Sequence, residues 1–416
     1  MKSGDRDVPG SGAATEAWLY WLFPALTMSL GWGLRGFIGG GPLGAMIPGA
    51  AVALALCLLL GRKHDAAGLA AAFGAVGVGF GGEMTYGQTV GFIVQPATFY
   101  WGLAGLAVKG AVWGLLGGAV LGLGLVREQL RRGQLVAALA LIVAGAHLGW
   151  KRINEPKLIY FSNLADRPRP EIWAGLLLGA LLLLLWLART GKAKMPALFA
   201  AAGAAGGGIG FGLGGVLMVL GRGLPVEQRW FDWWKLMEFT FGFCFGLALG
   251  VIAHRLRREL EGGEGPASAP ATWKVMAATA VLAAALFGWE ASEPLRYSFA
   301  VAGVALLTAA LFWTSLGWQI AVTLTYSAAA IDLAEYHLER KLDAPAAAWS
   351  FAIASSVVVC YLVARRRASG RPMPAWCYLL LIWACLAISW LKTLIGPRPL
   401  YGHLVVELIF TAAAVL

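Results

Sequence analysis

Apolar positions in this chain come in long unbroken blocks, not in the alternation of a half-buried strand or the stripe of a surface helix. Runs of about 17 to 25 such residues are long enough to span a bilayer as helices. About fourteen are found, near 17–34, 43–61, 66–83, 100–126, 134–150, 171–189, 195–220, 233–253, 272–289, 295–313, 315–333, 347–364, 375–395 and 401–416. The last of these has an interfacial placement as its alternative. Polar residues gather in the short connections. The pattern predicts an all-α polytopic membrane protein of about fourteen transmembrane helices.

Two blocks are interrupted from within. Gly31 to Ala50 reads GWGLRGFIGGGPLGAMIPGA, with eight glycines, two prolines and Arg35 among its twenty residues. Each glycine costs a helix about 1 kcal/mol relative to alanine, and an interior proline about 3. In lipid such a segment persists only where protein or a water-filled cavity satisfies its backbone. The second interruption, GGEMTYGQTVGFIVQP (81–96), sets Glu83, Thr85, Tyr86, Gln88 and Gln95 in sequence that has no lysine or arginine between Lys63 and Lys109. It predicts a broken or re-entrant segment lining a cavity. Broken helices with charge at membrane depth mark the binding sites of secondary transporters.

Composition agrees with a chain dissolved in lipid: 59% of its 416 residues are hydrophobic and 13% charged, with mean hydropathy +0.70. The net charge of +11 lies in short loops instead of on a soluble face, which argues against a nucleic-acid binder. Arg62/Lys63, Arg127/Arg131/Arg132, Arg189/Lys192/Lys194, Arg255/Arg257/Arg258 and Arg365/Arg366/Arg367/Arg371 fall in even-numbered connections. The positive-inside rule then puts those loops and the N-terminus in the cytoplasm. Loop 151–171 dissents, with Lys151, Arg152, Lys157, Arg167 and Arg169 on the other side. No signal-peptide h-region precedes the first run, and a bacterial inner membrane is the expected location.

A parallel internal repeat is expected at an offset of about 130 residues. GAVGVGFGG (74–82) with 99–120 recurs as GAAGGGIGFGLGG (203–215) with 231–251, so that Phe99, Trp101, Gly114 and Gly118 match Phe231, Trp233, Gly246 and Gly250. Glycine also divides the chain, with 47 of 56 before residue 261. The expected organisation is a disordered cytoplasmic tail (1–16), a glycine-rich core of eight spans (17–260), a linker (261–272) and a second bundle of six spans (273–416).

The candidate chemistry lies in the core. Arg35 is a cation placed to hold an anionic group, and Trp32, Glu83, Tyr86, Gln88 and Trp101 are expected to contact a polar solute. Lys109 and Glu238 sit within spans, where ionisable groups are functional candidates. They are either an ion pair with each other or, for Glu238, a coupling carboxylate. His147, Lys151 and Arg152 leave span 5 as an entrance that gathers anions; GW followed by polar residues at 149–152 echoes GWGLR (31–35) and recurs in SLGWQ (315–319). Asp332, Glu335 and His337 form a further cluster in IDLAEYHLER (331–340), without the ligand spacing of a metal site. Most tryptophans near span ends, Trp32 included, read as an aromatic belt.

Other chemistry is not expected. The five cysteines form no CxxC and read as packing residues. There is no GxxxxGK[ST], and GFGLGG (210–215) lies in an apolar span without a strand or acidic partner. No cofactor or metal is expected. The reading that results is a secondary transporter, with proton coupling open to it, of a small polar or anionic solute such as a carbohydrate or organic acid. Its partners are the lipid bilayer and the solute, with a homo-oligomer or larger membrane complex as the surrounding assembly. An integral-membrane enzyme is the alternative, using Glu83 or the Asp332 cluster as base on a lipid-linked or phosphate-bearing substrate held by Arg35, Lys151 and Arg152. A non-catalytic subunit of a membrane complex is the third reading.

Overall fold

The computed structural model describes residues 16–162, 171–225, 232–262, 270–395 and 401–415, and of residues 401–403 the backbone. The tail before Glu16, most of the linker, Arg167, Arg169, Trp230 and Phe231 lie outside the described residues. All described structure is helix and connection, with no strand among it. Among the described residues, eight helices are long and apolar enough to cross a membrane, and three shorter apolar ones accompany them.

The first half begins with α1 (Ala17–Ile38), α2 (Gly41–Leu59), α3 (His64–Gly81), the short α4 (Gly87–Ile93) and α5 (Phe99–Leu125). It continues through α6 (Arg132–Gly149), α7 (Trp173–Arg189), α8 (Lys194–Gly223), α9 (Trp233–Arg255) and the one-turn α10 (Arg257–Leu260). Six of these close a ring in which each packs on the next: α1, α2, α3, α5, α8, α9 and back to α1. Neighbours run antiparallel, since Gly110, Gly114 and Gly118 of α5 face Gly207, Gly203 and Phe199 of α8.

Glycine makes this ring tight. A Cβ on Gly114 would strike the carbonyl of Gly203, and one on Gly203 the carbonyl of Gly114. Gly242, Gly246 and Gly250 of α9 meet the backbone of α1 at Met28, Pro24 and Tyr20 in the same manner. Small residues at every fourth position let helices approach in lipid, where burial of apolar surface gives little drive. The lumen is filled by aromatic side chains, so the ring is a packed core. Trp32, Trp113, Phe211, Phe241 and Phe245 are buried there, with Trp32 and Phe241 ring centroids 4.4 Å apart.

The second half adds α11 (Thr272–Ser292), α12 (Ser298–Phe312) and a composite rod of α13 (Leu316–Trp318), α14 (Thr325–Leu333) and α15 (Arg340–Leu342). Then follow α16 (Pro345–Ala368), α17 (Pro374–Ile395) and α18 (Tyr401–Val415). Two π-helical turns, Gln319–Leu324 and Ala334–Glu339, join the pieces of the rod, and a third, Trp150–Asn154, ends α6. Such turns are rare and recur at functional sites. The rod and α17 pack on α2, α12 packs on α3, and a single buried apolar cluster runs through both halves.

The charged connections meet at one end of the molecule. Arg62 donates to both the Glu128 carboxylate (3.0 Å) and the Leu260 carbonyl (2.9 Å), Lys194 pairs with Glu259 (2.9 Å), and Arg367 pairs with Asp65 (2.6 Å). The connections that carry the basic clusters therefore share one face.

Candidate functional site

At the opposite end the chain reverses between α1 and α2 through Gly39–Gly41, where Gly41 has a φ of +65° that favours glycine. Arg35 lies one turn inside this break and is 4% exposed. Its guanidinium sits 5.3 Å from the Trp32 and Trp113 ring centroids and 5.6 Å from that of Tyr86. It donates to the Tyr86 hydroxyl at 2.9 Å. Three aromatic faces and a phenol thus hold a buried cation, and no carboxylate among the described residues forms an ion pair with it. Its Nε has no hydrogen-bond partner among them.

The Tyr86 hydroxyl donates in turn to Glu238 Oε1 (3.3 Å), which also accepts from Trp234 Nε1 (3.0 Å). Lys235 donates to Glu238 Oε2 at 2.6 Å. The carboxylate is 1% exposed and fits against Gly36, where any Cβ would overlap it. Tyr86 reaches this position because α3 ends at Gly81 and α4 starts again at Gly87, so the interruption at 81–96 turns the chain back toward the ring. The tyrosine ring stacks on Trp234 at 5.9 Å.

Beside this network lies an open polar space of about 560 Å³ lined by Gly40, Asp332, Tyr336, His337 and Lys392. A smaller pocket of about 150 Å³ shares Gly40, Asp332 and Tyr336 with it and continues past Gly39 to Gly44. A Cβ on Gly44 would lie 3.2 Å from Arg35 Cγ, so the floor of this pocket is the backbone over Arg35. Lys392 approaches Asp332 at 3.5 Å, and the Phe37 ring lies between Lys392 (5.7 Å) and Lys235 (5.8 Å). The Ala334–Glu339 π turn brings Glu335, Tyr336 and His337 to these spaces, and the buried His337 Nδ1 has no hydrogen-bond partner among the described residues.

The remaining sequence candidates stand elsewhere. Lys109 and Glu238 do not pair with each other as the ion-pair expectation has it. Lys109 instead binds Glu171 at 2.7 Å, each side chain 1% exposed, and donates to the Thr85 carbonyl and the Thr89 hydroxyl. Glu171 also accepts from Ser162 and the Phe161 amide. This saturated pair clasps α4 and the 155–162 loop to α5. Glu83 Oε1 accepts from the amides of Phe299 (2.6 Å) and Ala300 (3.2 Å), the first turn of α12. Gln88 is half-buried at the start of α4.

Trp101 is exposed in the first turn of α5 and donates to the Tyr160 carbonyl. His147 contacts the Tyr297 hydroxyl at 2.7 Å, and Lys151 pairs with Glu155 on the surface beside the exposed Arg152. These three belong to α6 and its π turn, which pack on α7 and α12 away from Arg35. Trp32 belongs to no belt, being 1% exposed inside the ring. The sequence alone gives no role to Trp113, Lys235 or Glu171, and it places Trp234 in the aromatic belt and Lys392 among the pore-facing or paired groups of the second bundle; for Lys235 the i, i+3 spacing with Glu238 on one helix is the available signal. Comparison with known proteins gives no further guide: no family, no curated protein and no solved structure matches this chain.

Proposed function

We propose that this protein is a secondary transporter of a small anionic or polar solute, organised as fourteen spans. In this reading the connections at the Arg62 and Arg367 end face the cytoplasm of a bacterial inner membrane. The site at the α1–α2 break then opens to the other side. The observation that carries the proposal is Arg35, a buried guanidinium held by aromatic faces and ion-paired to no carboxylate among the described residues. An uncompensated cation in a low-dielectric setting is costly unless a ligand anion is part of its working cycle. Glu238 lies two hydrogen bonds away through Tyr86 and is the coupling carboxylate of this scheme.

The fourteen-span order is supported by the alternation of connections between the two ends of the molecule. The internal repeat is supported by the equivalent use of Gly114/Gly118 against α8 and Gly246/Gly250 against α1. Uptake into proteoliposomes across a panel of sugar acids, organic acids and phosphate esters tests the function. Arg35→Ala is expected to abolish uptake of the responding solute while the protein stays folded. Undiminished uptake in that variant would overturn the assignment.

A further inference from the structure

A cavity lies outside the ring, and its walls explain little about a water-soluble solute. It holds about 570 Å³ between α11, the rod and α16, with Met276, Ala283, Phe287, Leu324, Ile353 and Val357 among its lining residues. Few polar atoms reach it. α11 and α16 are also the two least buried of the long apolar helices, so the groove opens sideways toward the surrounding lipid. Along α11 it runs from Met276 to Phe287, about 17 Å at 1.5 Å per residue. That is roughly half of a hydrocarbon core of about 30 Å, the depth of one leaflet.

This groove adjoins the polar site, with Ile331 on the wall of each. The small pocket under Gly39–Gly44 shares Gly40, Asp332 and Tyr336 with the open space at Lys392. The polar end carries three cations, Arg35, Lys235 and Lys392, against two carboxylates, Glu238 and Asp332. A third carboxylate, Glu335, is held by Arg340 at 2.7 Å, and the Lys341 charge also acts on Lys392 and His337, so cations outnumber carboxylates among these groups. Two buried polar atoms there, Arg35 Nε and His337 Nδ1, have no partner among the described residues. An apolar slot one leaflet deep, entered from lipid and ending beside a cationic pocket, matches a long-chain amphipath with an anionic head.

We infer that the transported solute carries an apolar chain: its head, a phosphate or carboxylate, sits at Lys392, His337 and the backbone over Arg35, and its tail lies in the α11–α16 groove. This rests on the transport reading and names its substrate class. The head supplies an anion beside Arg35, with which no carboxylate among the described residues forms an ion pair, and the tail passes sideways from the bilayer into a groove that keeps it in apolar surroundings.

The test takes the full chain in nanodiscs and compares methyl phosphate with hexadecyl phosphate, correcting for uptake by empty nanodiscs. Hexadecyl phosphate is expected to bind more tightly by at least about tenfold. A diazirine at its chain end should label α11 or α16. Ala280→Trp and Ile353→Trp, at exposed positions of the groove wall, are expected to bring the affinity ratio toward one. Equal binding of the two phosphates, or labelling confined to other helices, overturns the amphipath and leaves transport of a small anion standing. Absence of binding by either phosphate, with uptake of an uncharged solute, overturns the amphipath and the anion site together.

Discussion

Arg35 and Tyr86, 51 positions apart in the chain, meet at 2.9 Å through a guanidinium–phenol hydrogen bond. The same hydroxyl donates onward to Glu238, so one phenol separates the uncompensated cation from the paired carboxylate. Tyr86→Phe keeps the ring and its stacking on Trp234 but removes both hydrogen bonds. Loss of a hydrogen bond to a charged group costs about 1.5–3 kcal/mol. A folded protein with a lower unfolding midpoint and uncoupled or absent uptake is expected, and paired thermal-unfolding and uptake measurements check it. Transport unchanged in Tyr86→Phe would remove Glu238 from the working cycle.

The Lys109–Glu171 pair should behave differently, because it is saturated by protein groups on both sides. Breaking a buried pair leaves one charge uncompensated and costs about 3–5 kcal/mol. Lys109→Met and Glu171→Gln are each expected to lower stability by that order, and the double variant to cost less than their sum. A double-mutant cycle on denaturation midpoints reads this directly. Additive effects would show that the two charges do not stabilise each other.

Glu83 joins the two halves of the chain at the first turn of α12, where a carboxylate meets amide groups and the positive end of the helix dipole. Glu83→Gln weakens that charge-assisted bond and should cost about 1 kcal/mol, with the α3–α12 contact loosening before the ring does. Hydrogen exchange at the Phe299 and Ala300 amides is the measurement; unchanged protection there would remove the cap.

How much of this was legible in one dimension depends on what each residue's neighbours had to be. Arg35, Tyr86 and Glu238 stood out because a polar side chain inside apolar sequence demands a reason. Trp113 did not, since it lies in an ordinary apolar block. Its position over Arg35 is set by the α3–α5 packing that lets its indole donate to the Val78 carbonyl at 2.7 Å. Lys392 and Asp332 are 60 positions apart, and only the register of α17 against the rod brings them together. Lys109 is visible as a buried charge, but its partner is Glu171 and not Glu238, a pairing across the chain that no periodicity describes. Helix existence is a local property written in hydropathy; the pairing of buried charges is a property of packing.

The glycine stripe gives the sharpest separation between backbone approach and helix propensity. Gly114 has no room for a side chain against Gly203, whereas Gly91 of α4 has nothing within 4 Å of its would-be Cβ. Gly114→Val should force α5 from α8 and cost at least about 1–3 kcal/mol, the usual range for an overpacked core. Gly91→Ala should instead raise stability by up to about 1 kcal/mol, the propensity gain of alanine in a helix. Both are read as shifts of the unfolding midpoint in one detergent. Since α5 and α8 are adjacent walls of the ring, Gly114→Val should also disturb the Trp113 indole over Arg35 and weaken anion binding. Equal midpoints for the two variants would mean that the close approach of α5 and α8 does not hold the ring together.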